Sequence, residues 1–149
     1  MGLNKQEFAT QLPVSWYVEQ SIFELEQKNI FNTAQQYIGH VLMTPNVGDY
    51  YTLPAFKHGK MLKNTEDGIV LLSNICRHRQ ALMLEGKGNT QQIVCPLHRW
   101  TYDAQGKLIG APHFPATPCL HLGSTPLQNW QGLLFTNERN VAADLAGLG

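Results

Sequence analysis

The sequence lacks any long apolar run. No stretch approaches the roughly 18 consecutive apolar residues that a bilayer-spanning helix needs. It also lacks a net charge, because eleven Lys and Arg residues balance eleven Asp and Glu residues. No global field would draw the chain to DNA or to an anionic membrane, and no basic run alternates with aromatic residues. We therefore expect no membrane partner and no nucleic-acid partner.

Cysteine is scarce as well. The three cysteines, Cys76, Cys95 and Cys119, are an odd number. A reducing compartment and metal ligation explain that number better than a disulfide framework does, although the sequence leaves a disulfide open. The first ten residues contain neither the apolar core nor the small-residue cleavage site of a signal peptide. We therefore expect a cytoplasmic protein.

What the chain does contain is enough apolar sequence for one folded domain. It has 149 residues, 43% hydrophobic and 15% charged, which are values typical of globular proteins. After Thr33, short apolar runs alternate with turn residues, which predicts a mainly β protein with a small antiparallel sandwich or barrel-like fold. The predicted strands are Tyr37–Met43, Asp49–Leu53, Lys60–Lys63, Ile69–Ser73, Gln91–Cys95, Trp100–Asp103, Lys107–Ile109 and Gly132–Thr136. The predicted turns between them include Gly86 to Asn89, and Ala111 to Pro126, with four prolines, is predicted to be an irregular loop.

The N-terminal region has a different pattern. Ser21 and Glu24 form a potential capping box, with Ser21 as the N-cap of a helix from about Ile22 to Phe31. We expect this helix to bury Ile22, Leu25 and Ile30, although it is equally compatible with a docking element for another domain. The predicted organisation is an N-terminal arm and helix in 1–36, a β domain in 37–140 and a C-terminal tail in 141–149.

Two Cys/His pairs carry the most information. Cys76 and His78 stand in the stretch C-R-H-R, and Cys95 and His98 stand in C-P-L-H-R-W, with 16 residues between His78 and Cys95. Each pair follows a predicted strand and offers one soft thiolate and one neutral imidazole. This mixture suits an iron–sulfur cluster in which two Cys hold one iron and two His hold the other.

Zinc is the alternative metal, because two Cys and two His are also a zinc ligand set. Zinc fingers normally pair Cys with Cys and then His with His, whereas each of these loops mixes the two. The pattern favours the iron–sulfur cluster and leaves a structural zinc module as the weaker possibility.

The two pairs resemble the C-x-H and C-x-x-H motifs of Rieske [2Fe–2S] domains. The flanking sequence resembles one branch of that family, the large (alpha) subunit of the Rieske non-haem iron ring-hydroxylating oxygenases. The similarity runs from about Pro13 to Asn137 and includes Ser15-Trp16-Tyr17, Gly48-Asp49-Tyr50, Trp100-Thr101-Tyr102-Asp103 and Trp130-Gln131-Gly132.

The resemblance implies a Rieske-type β sandwich with two cluster-binding loops. It further implies that Cys76 and Cys95 bind one iron and that His78 and His98 bind the other, nearer the surface. The family commonly has Gly after each motif, where this chain has Gln80 and Arg99. We therefore expect the turn after His98 to differ and the surface there to be bulkier and more basic.

Two neighbouring residues are candidates for a supporting role. Arg79 could raise the reduction potential or dock an acidic partner, and Trp100 could shield the cluster or donate its N–H. Solvation of the arginine and plain packing of the tryptophan are the competing interpretations. We expect the remaining histidines and Cys119 not to be ligands.

The resemblance also implies that electron transfer and oxygen activation take place in separate domains. The family's oxygenases carry a C-terminal domain with a mononuclear iron, and after His98 we find no residues with which this chain could activate oxygen. We therefore expect no catalytic residue here, but the electron-relay domain of a ring-hydroxylating dioxygenase or related monooxygenase. Its implied partners are a reductase or ferredoxin and the catalytic domain of a neighbouring subunit in a trimer. A stand-alone Rieske ferredoxin-like carrier is the alternative.

Overall fold

The N-terminal unit is a short helical segment. A computed structural model describes residues 12–56, 59–136 and 139–148, and the chain divides into one compact unit up to Gln35 and another from Gln36 onwards. In the first unit a 3₁₀ turn at Val14–Tyr17 precedes helix α1, Gln20–Glu26, and a π-helical turn follows at Gln27–Phe31. The predicted division into an arm and helix in 1–36, a β domain in 37–140 and a tail in 141–149 stays a prediction.

Two details of the predicted helix are wrong. The N-cap is Glu19, without a side-chain capping bond, and Ser21 lies inside the helix. Glu24 instead accepts a hydrogen bond from the Gln20 side chain at 3.1 Å, one turn away. The apolar residues are also not buried as predicted, because Leu25 and Ile30 are each more than half exposed.

The second unit consists of antiparallel β-sheets, which confirms the predicted mainly β class. Its described strands are β1 (Gln36–His40), β2 (Asp49–Leu53), β3 (Lys60–Thr65), β4 (Gly68–Ser73), β5 (Lys87–Asn89), β6 (Ile93–Val94), β7 (Thr101–Tyr102), β8 (Leu108–Gly110), β9 (Ser124–Pro126), β10 (Gln128–Trp130) and β11 (Leu133–Thr136), and helix α2 (Val141–Leu145) follows. They form sheets in the orders β1-β11-β10, β5-β2-β3-β4-β9 and β6-β7-β8.

The central five-stranded sheet is covered on both faces. Neighbouring residues in β3 and β4 belong to different core clusters, because successive side chains in a strand point to opposite faces. Leu62 and Leu71 pack in a cluster with residues of β1 and β11, whereas Met61 and Leu72 pack in a cluster with residues of β6, β7 and β8. The small sheet β6-β7-β8 therefore rests on one face of the central sheet. The first Cys/His loop follows β4 of the central sheet, and the second connects β6 to β7 of the small sheet.

Three strands were not predicted. Strand β5 lies in the segment predicted as a turn, β9 lies in the proline-rich segment predicted as a loop, and β10 was not assigned. Strand β5 is fully exposed and has no apolar alternation, so it carries no sequence signal. Strand β9 is at the edge of its sheet, where the missing N–H of Pro126 costs no ladder bond.

A buried lysine joins two loops beside the central sheet. The Lys63 ammonium donates hydrogen bonds to the carbonyl oxygens of Gly48 and, at 2.6 Å, Thr90. Burial lowers the pKa of Lys63, and the nearby Asp49 carboxylate opposes that shift. The charge is tolerated because backbone carbonyls replace the lost water.

In the part of the chain that the structure describes, no helix is long and apolar enough to cross a membrane.

Candidate metal centre

The first Cys/His loop is a tight turn that begins at Cys76. The Cys76 N–H donates to the Ala81 carbonyl at 2.9 Å, and the Gln80 N–H donates back to the Cys76 carbonyl at 3.0 Å. At the base of the loop, the Asn74 side chain donates to the Leu84 carbonyl at 2.7 Å and accepts from the Leu84 N–H at 3.0 Å. These bonds fix the loop onto the end of β4.

The second loop has the same hydrogen bonding. The Cys95 N–H donates to the Trp100 carbonyl at 2.8 Å, and the Arg99 N–H donates to the Cys95 carbonyl at 3.0 Å. Gln80 and Arg99 therefore occupy equivalent positions, and both have left-handed backbones, with φ of 57° and 58°. Arg99 thus adopts a left-handed backbone conformation that is strained for a residue other than glycine, in a turn bonded like that of the first loop.

The two thiols lie in the protein interior. Cys76 is 1% exposed and Cys95 is 2% exposed, and both belong to the core cluster under the small sheet. Neither is in a disulfide. Buried thiols facing a closed core suit metal ligation better than exchange chemistry with solvent.

The two imidazoles lie closer to the surface. The ring centroids of His78 and His98 are 4.8 Å apart, with His78 half-buried and His98 exposed. His78 also stacks on Trp100, with centroids 4.8 Å apart and planes 8° from parallel, and meets the edge of Phe114. Burial lowers the pKa of His78, and the charges of His98 and Arg79 lower it further, so the neutral form needed for metal binding is favoured.

One orphaned atom tests the fit to a metal. The Nδ1 atom of His78 is buried and has no hydrogen-bond partner among the described residues. An unpaired buried nitrogen is costly unless something binds it, and a metal ion would do so. No group of three or more His, Cys, Asp and Glu side chains within 12–56, 59–136 and 139–148 surrounds a single ion position. A two-iron core needs only a pair of protein ligands at each iron, so the residues present fit the cluster.

Comparison with known proteins agrees with this geometry. The family model of the Rieske [2Fe-2S] domain matches residues 36–128. This chain belongs to the Rieske [2Fe-2S] domain family. The predicted family and cofactor are thereby confirmed, and the cluster is of the Rieske type.

Similar proteins are longer Rieske oxygenases. The Rieske chain is 54% identical over 148 residues to putrescine 2-hydroxylase of Ralstonia nicotianae, covering 99% of the chain and 40% of that protein. It is 32% identical to the biphenyl dioxygenase alpha subunit of Paraburkholderia xenovorans, covering 87% of the chain and 31% of that subunit. The chain thus spans well under half the length of these relatives.

Solved structures agree at the level of the fold. A quaternary ammonium Rieske monooxygenase in complex with γ-butyrobetaine has a TM-score of 0.75 at 24% identity, covering 91% of this chain and 42% of that one. Naphthalene 1,2-dioxygenase from Rhodococcus sp. has a TM-score of 0.75 at 25% identity, covering 92% and 34%. The predicted oxygenase-type Rieske fold is therefore confirmed.

The Rieske site includes one residue that the sequence did not single out. The buried hydroxyl of Tyr102 accepts a hydrogen bond from the Arg77 N–H at 3.0 Å and lies 3.6 Å from the sulfur of Cys76. Burial raises the pKa of Tyr102, and the contact with Cys76 raises it further, so the hydroxyl keeps its proton. The signal in the sequence was its place in the stretch Trp100-Thr101-Tyr102-Asp103, which resembles the family.

The two residues predicted to support the site, Trp100 and Arg79, differ in burial. Trp100 is 1% exposed and packs on His78, and its buried indole N–H has no partner among the described residues, whereas Arg79 is exposed. Among the other histidines, the Nδ1 atoms of His40 and His121 accept backbone N–H bonds, and His113 is exposed. His58 lies outside the described residues. Cys119 is exposed, with its sulfur 3.5 Å from Nε2 of His121.

An apolar groove lies beside the first loop. It has a volume of about 810 Å³ and is lined by residues of β2 together with Ile75 and Leu82. None of the four Cys and His side chains faces it. The groove is therefore separate from the metal centre.

Proposed function

We propose that Cys76 and Cys95 bind one iron of the Rieske cluster and that His78 and His98 bind the other. The observation that carries this assignment is the burial of both thiols in loops whose two imidazoles are in contact, one of which has an orphaned Nδ1 atom. When bound, the cluster supplies a site that gains and loses one electron. The chain buries the two thiols, favours the neutral form of His78 and places His98 at the surface, where electrons enter and leave.

We further propose that this domain is the electron relay of a longer oxygenase that hydroxylates putrescine or a related small amine. The support is the 54% identity to putrescine 2-hydroxylase over nearly the whole chain. A second putrescine 2-hydroxylase, from Bordetella bronchiseptica, is 46% identical over 93% of the chain. The other function that the sequence suggested, an aromatic dioxygenase, is supported by a lower identity, 32% to the biphenyl dioxygenase alpha subunit.

The proposed partners follow from the same reasoning. A reductase or ferredoxin would supply electrons, and a mononuclear-iron domain, belonging to a neighbouring subunit of a trimer, would receive them. One structural neighbour is described as revealing inter-subunit electron transfer. A cytosolic location is part of this proposal, because the described cysteines are free thiols.

The ligand assignment is tested by matched histidine substitutions. We expect the purified protein to be red-brown, with equal iron and acid-labile sulfide and a Rieske EPR signal on reduction. His78→Asn should abolish that signal, whereas His113→Asn should retain it. A normal Rieske spectrum in His78→Asn would refute the assignment, and bound zinc without sulfide would favour the structural zinc module.

The whole-protein proposal is tested by product analysis. The full-length protein, supplied with a reductase, should convert putrescine to a product heavier by one oxygen atom, as measured by mass spectrometry. Biphenyl should give no product under the same conditions. Oxidation of biphenyl alone would instead support the aromatic dioxygenase, and a gene that ends after residue 149 would support the stand-alone electron carrier.

A further inference from the structure

The indole of Trp100 carries an unsatisfied hydrogen-bond donor in the protein interior. Trp100 is 1% exposed, and its Nε1 atom is buried without a hydrogen-bond partner among the described residues. In that part of the chain, the other buried side-chain nitrogen without a partner is Nδ1 of His78, the atom that a metal ion would bind. A buried indole N–H normally finds an acceptor, because it has lost its hydrogen bond to water.

The two nitrogens belong to neighbouring rings. His78 stacks on Trp100, with ring centroids 4.8 Å apart and planes 8° from parallel. An indole N–H lies in the plane of its own ring, so in this stack it points alongside the imidazole and not at it. The Trp100 N–H therefore needs an acceptor other than His78, beside the stacked rings.

The side chains packed with Trp100 do not supply that acceptor. Its core cluster contains apolar residues, both thiols and Tyr102. The Tyr102 hydroxyl is engaged with the Arg77 N–H and the Cys76 sulfur. A buried water needs several polar partners, which apolar surroundings do not offer. A water shared with Nδ1 of His78 would require an imidazole that binds no metal.

An iron–sulfur cluster at the proposed site would bring sulfur acceptors into this region. Cys76 and Cys95 belong to the same core cluster of residues as Trp100, and the Trp100 carbonyl accepts the Cys95 N–H at 2.8 Å. Sulfide and thiolate sulfur atoms accept hydrogen bonds, and these bonds help to set the reduction potential.

We propose that the indole N–H of Trp100 donates a hydrogen bond to a sulfur atom of the iron–sulfur cluster and raises its reduction potential. This inference rests on the proposed function. Reduction adds negative charge to the cluster, so a donor directed at sulfur stabilises the reduced state more than the oxidised state. Trp100 would thus be a positioning residue for His78, through stacking, and a tuning residue for the cluster, through its N–H.

The experiment removes the N–H and keeps the shape of the ring. Benzothienylalanine, in which sulfur replaces the indole N–H, is introduced at Trp100 of the full-length protein by suppression of a stop codon. The potential is measured by mediator titration, and exchangeable protons near the reduced cluster are observed by electron–nuclear double resonance in water and deuterium oxide. The same replacement at the half-buried Trp130, on β10 of another sheet, is the matched control.

We expect the replacement at Trp100 to lower the potential and to remove the coupling of one exchangeable proton, with iron and sulfide content unchanged. The redox equilibrium with a fixed partner should shift about 2- to 10-fold towards the oxidised protein, as for loss of a typical hydrogen bond. The replacement at Trp130 should change neither quantity. An unchanged potential, or a lower potential with the proton coupling retained, would overturn the proposal.

A second measurement needs no substitution. Wild-type protein labelled at the indole nitrogen of tryptophan should show a hyperfine coupling of that nitrogen to the reduced cluster. Absence of the coupling would overturn the proposal and favour the face of Phe114, whose ring lies 5.2 Å from that of Trp100 at 81°, as the neighbour of the N–H. A wild-type protein without any Rieske EPR signal would instead refute the proposed function, and this inference with it.

Discussion

Removal of the Tyr102 hydroxyl should lower the reduction potential of the cluster. Because the Arg77 N–H donates to this hydroxyl, its own proton is free to point to the Cys76 sulfur, 3.6 Å away. Reduction adds negative charge to the cluster, so this hydrogen bond stabilises the reduced state more than the oxidised state. If the difference is about 0.5 to 1.5 kcal/mol, as for a typical hydrogen bond, Tyr102→Phe should lower the potential by about 20 to 65 mV.

The potential is measured by titration with redox mediators, following the visible circular dichroism and EPR signals. Tyr50→Phe is the matched control, because it removes a hydroxyl that lies 3.5 Å from the Glu85 carbonyl, away from the two thiols. We expect it to leave the potential unchanged. An unchanged or raised potential in Tyr102→Phe, with an intact cluster spectrum, would refute the reasoning.

Other perturbations test the fold around the site. Lys63→Met should lower the free energy of unfolding by about 1 to 3 kcal/mol, because two buried carbonyls lose their hydrogen-bond donor. The free energy is measured by urea unfolding, and the loss should exceed that of the control Lys60→Met. Gln80→Gly should raise stability by up to about 1 kcal/mol by relieving the left-handed strain, whereas Ala81→Gly should lower it; equal losses would contradict the strain argument. The raised pKa of Tyr102 means that above about pH 10 the unfolded chain releases a proton that the folded chain keeps. Stability should therefore fall with rising pH in urea titrations between about pH 9 and 11, and less steeply in Tyr102→Phe.

The strands that the sequence predicted correctly are the ones with an apolar pattern. Strand β2 has the predicted bounds, and β3 and β4 differ from them by one or two residues, because buried strands carry alternating or continuous apolar residues. Strands β5 and β9 are short edge strands whose pairing depends on the neighbouring strand, so no local pattern marks them. The N-cap at Glu19 was also missed, because several polar residues near the start of this helix are possible caps. The contact of Gln20 with Glu24 depends on the helix that forms and could not be recognised from the sequence pattern.

In the candidate site too, features with a local sequence pattern could be predicted, and features that depend on distant contacts could not. Two Cys/His pairs at a set spacing carry their own chemistry, so the cofactor, the family and the four proposed ligands could be predicted without a structure. The contact of Tyr102 with Cys76 could not, because 26 residues separate the two and they meet only in the core cluster between the small sheet and the central sheet.

The sequence by itself determined which chemistry this protein is equipped for, because Cys and His in mixed pairs at this spacing are the residues typical of a Rieske iron–sulfur cluster. The tertiary structure decided how that chemistry is exposed and controlled. It buried the thiols, brought the two imidazoles into contact, and placed Arg99 in a strained turn beside His98. Ligand identity is a property of individual side chains and their spacing, whereas burial, strain and surface charge depend on how distant strands pack.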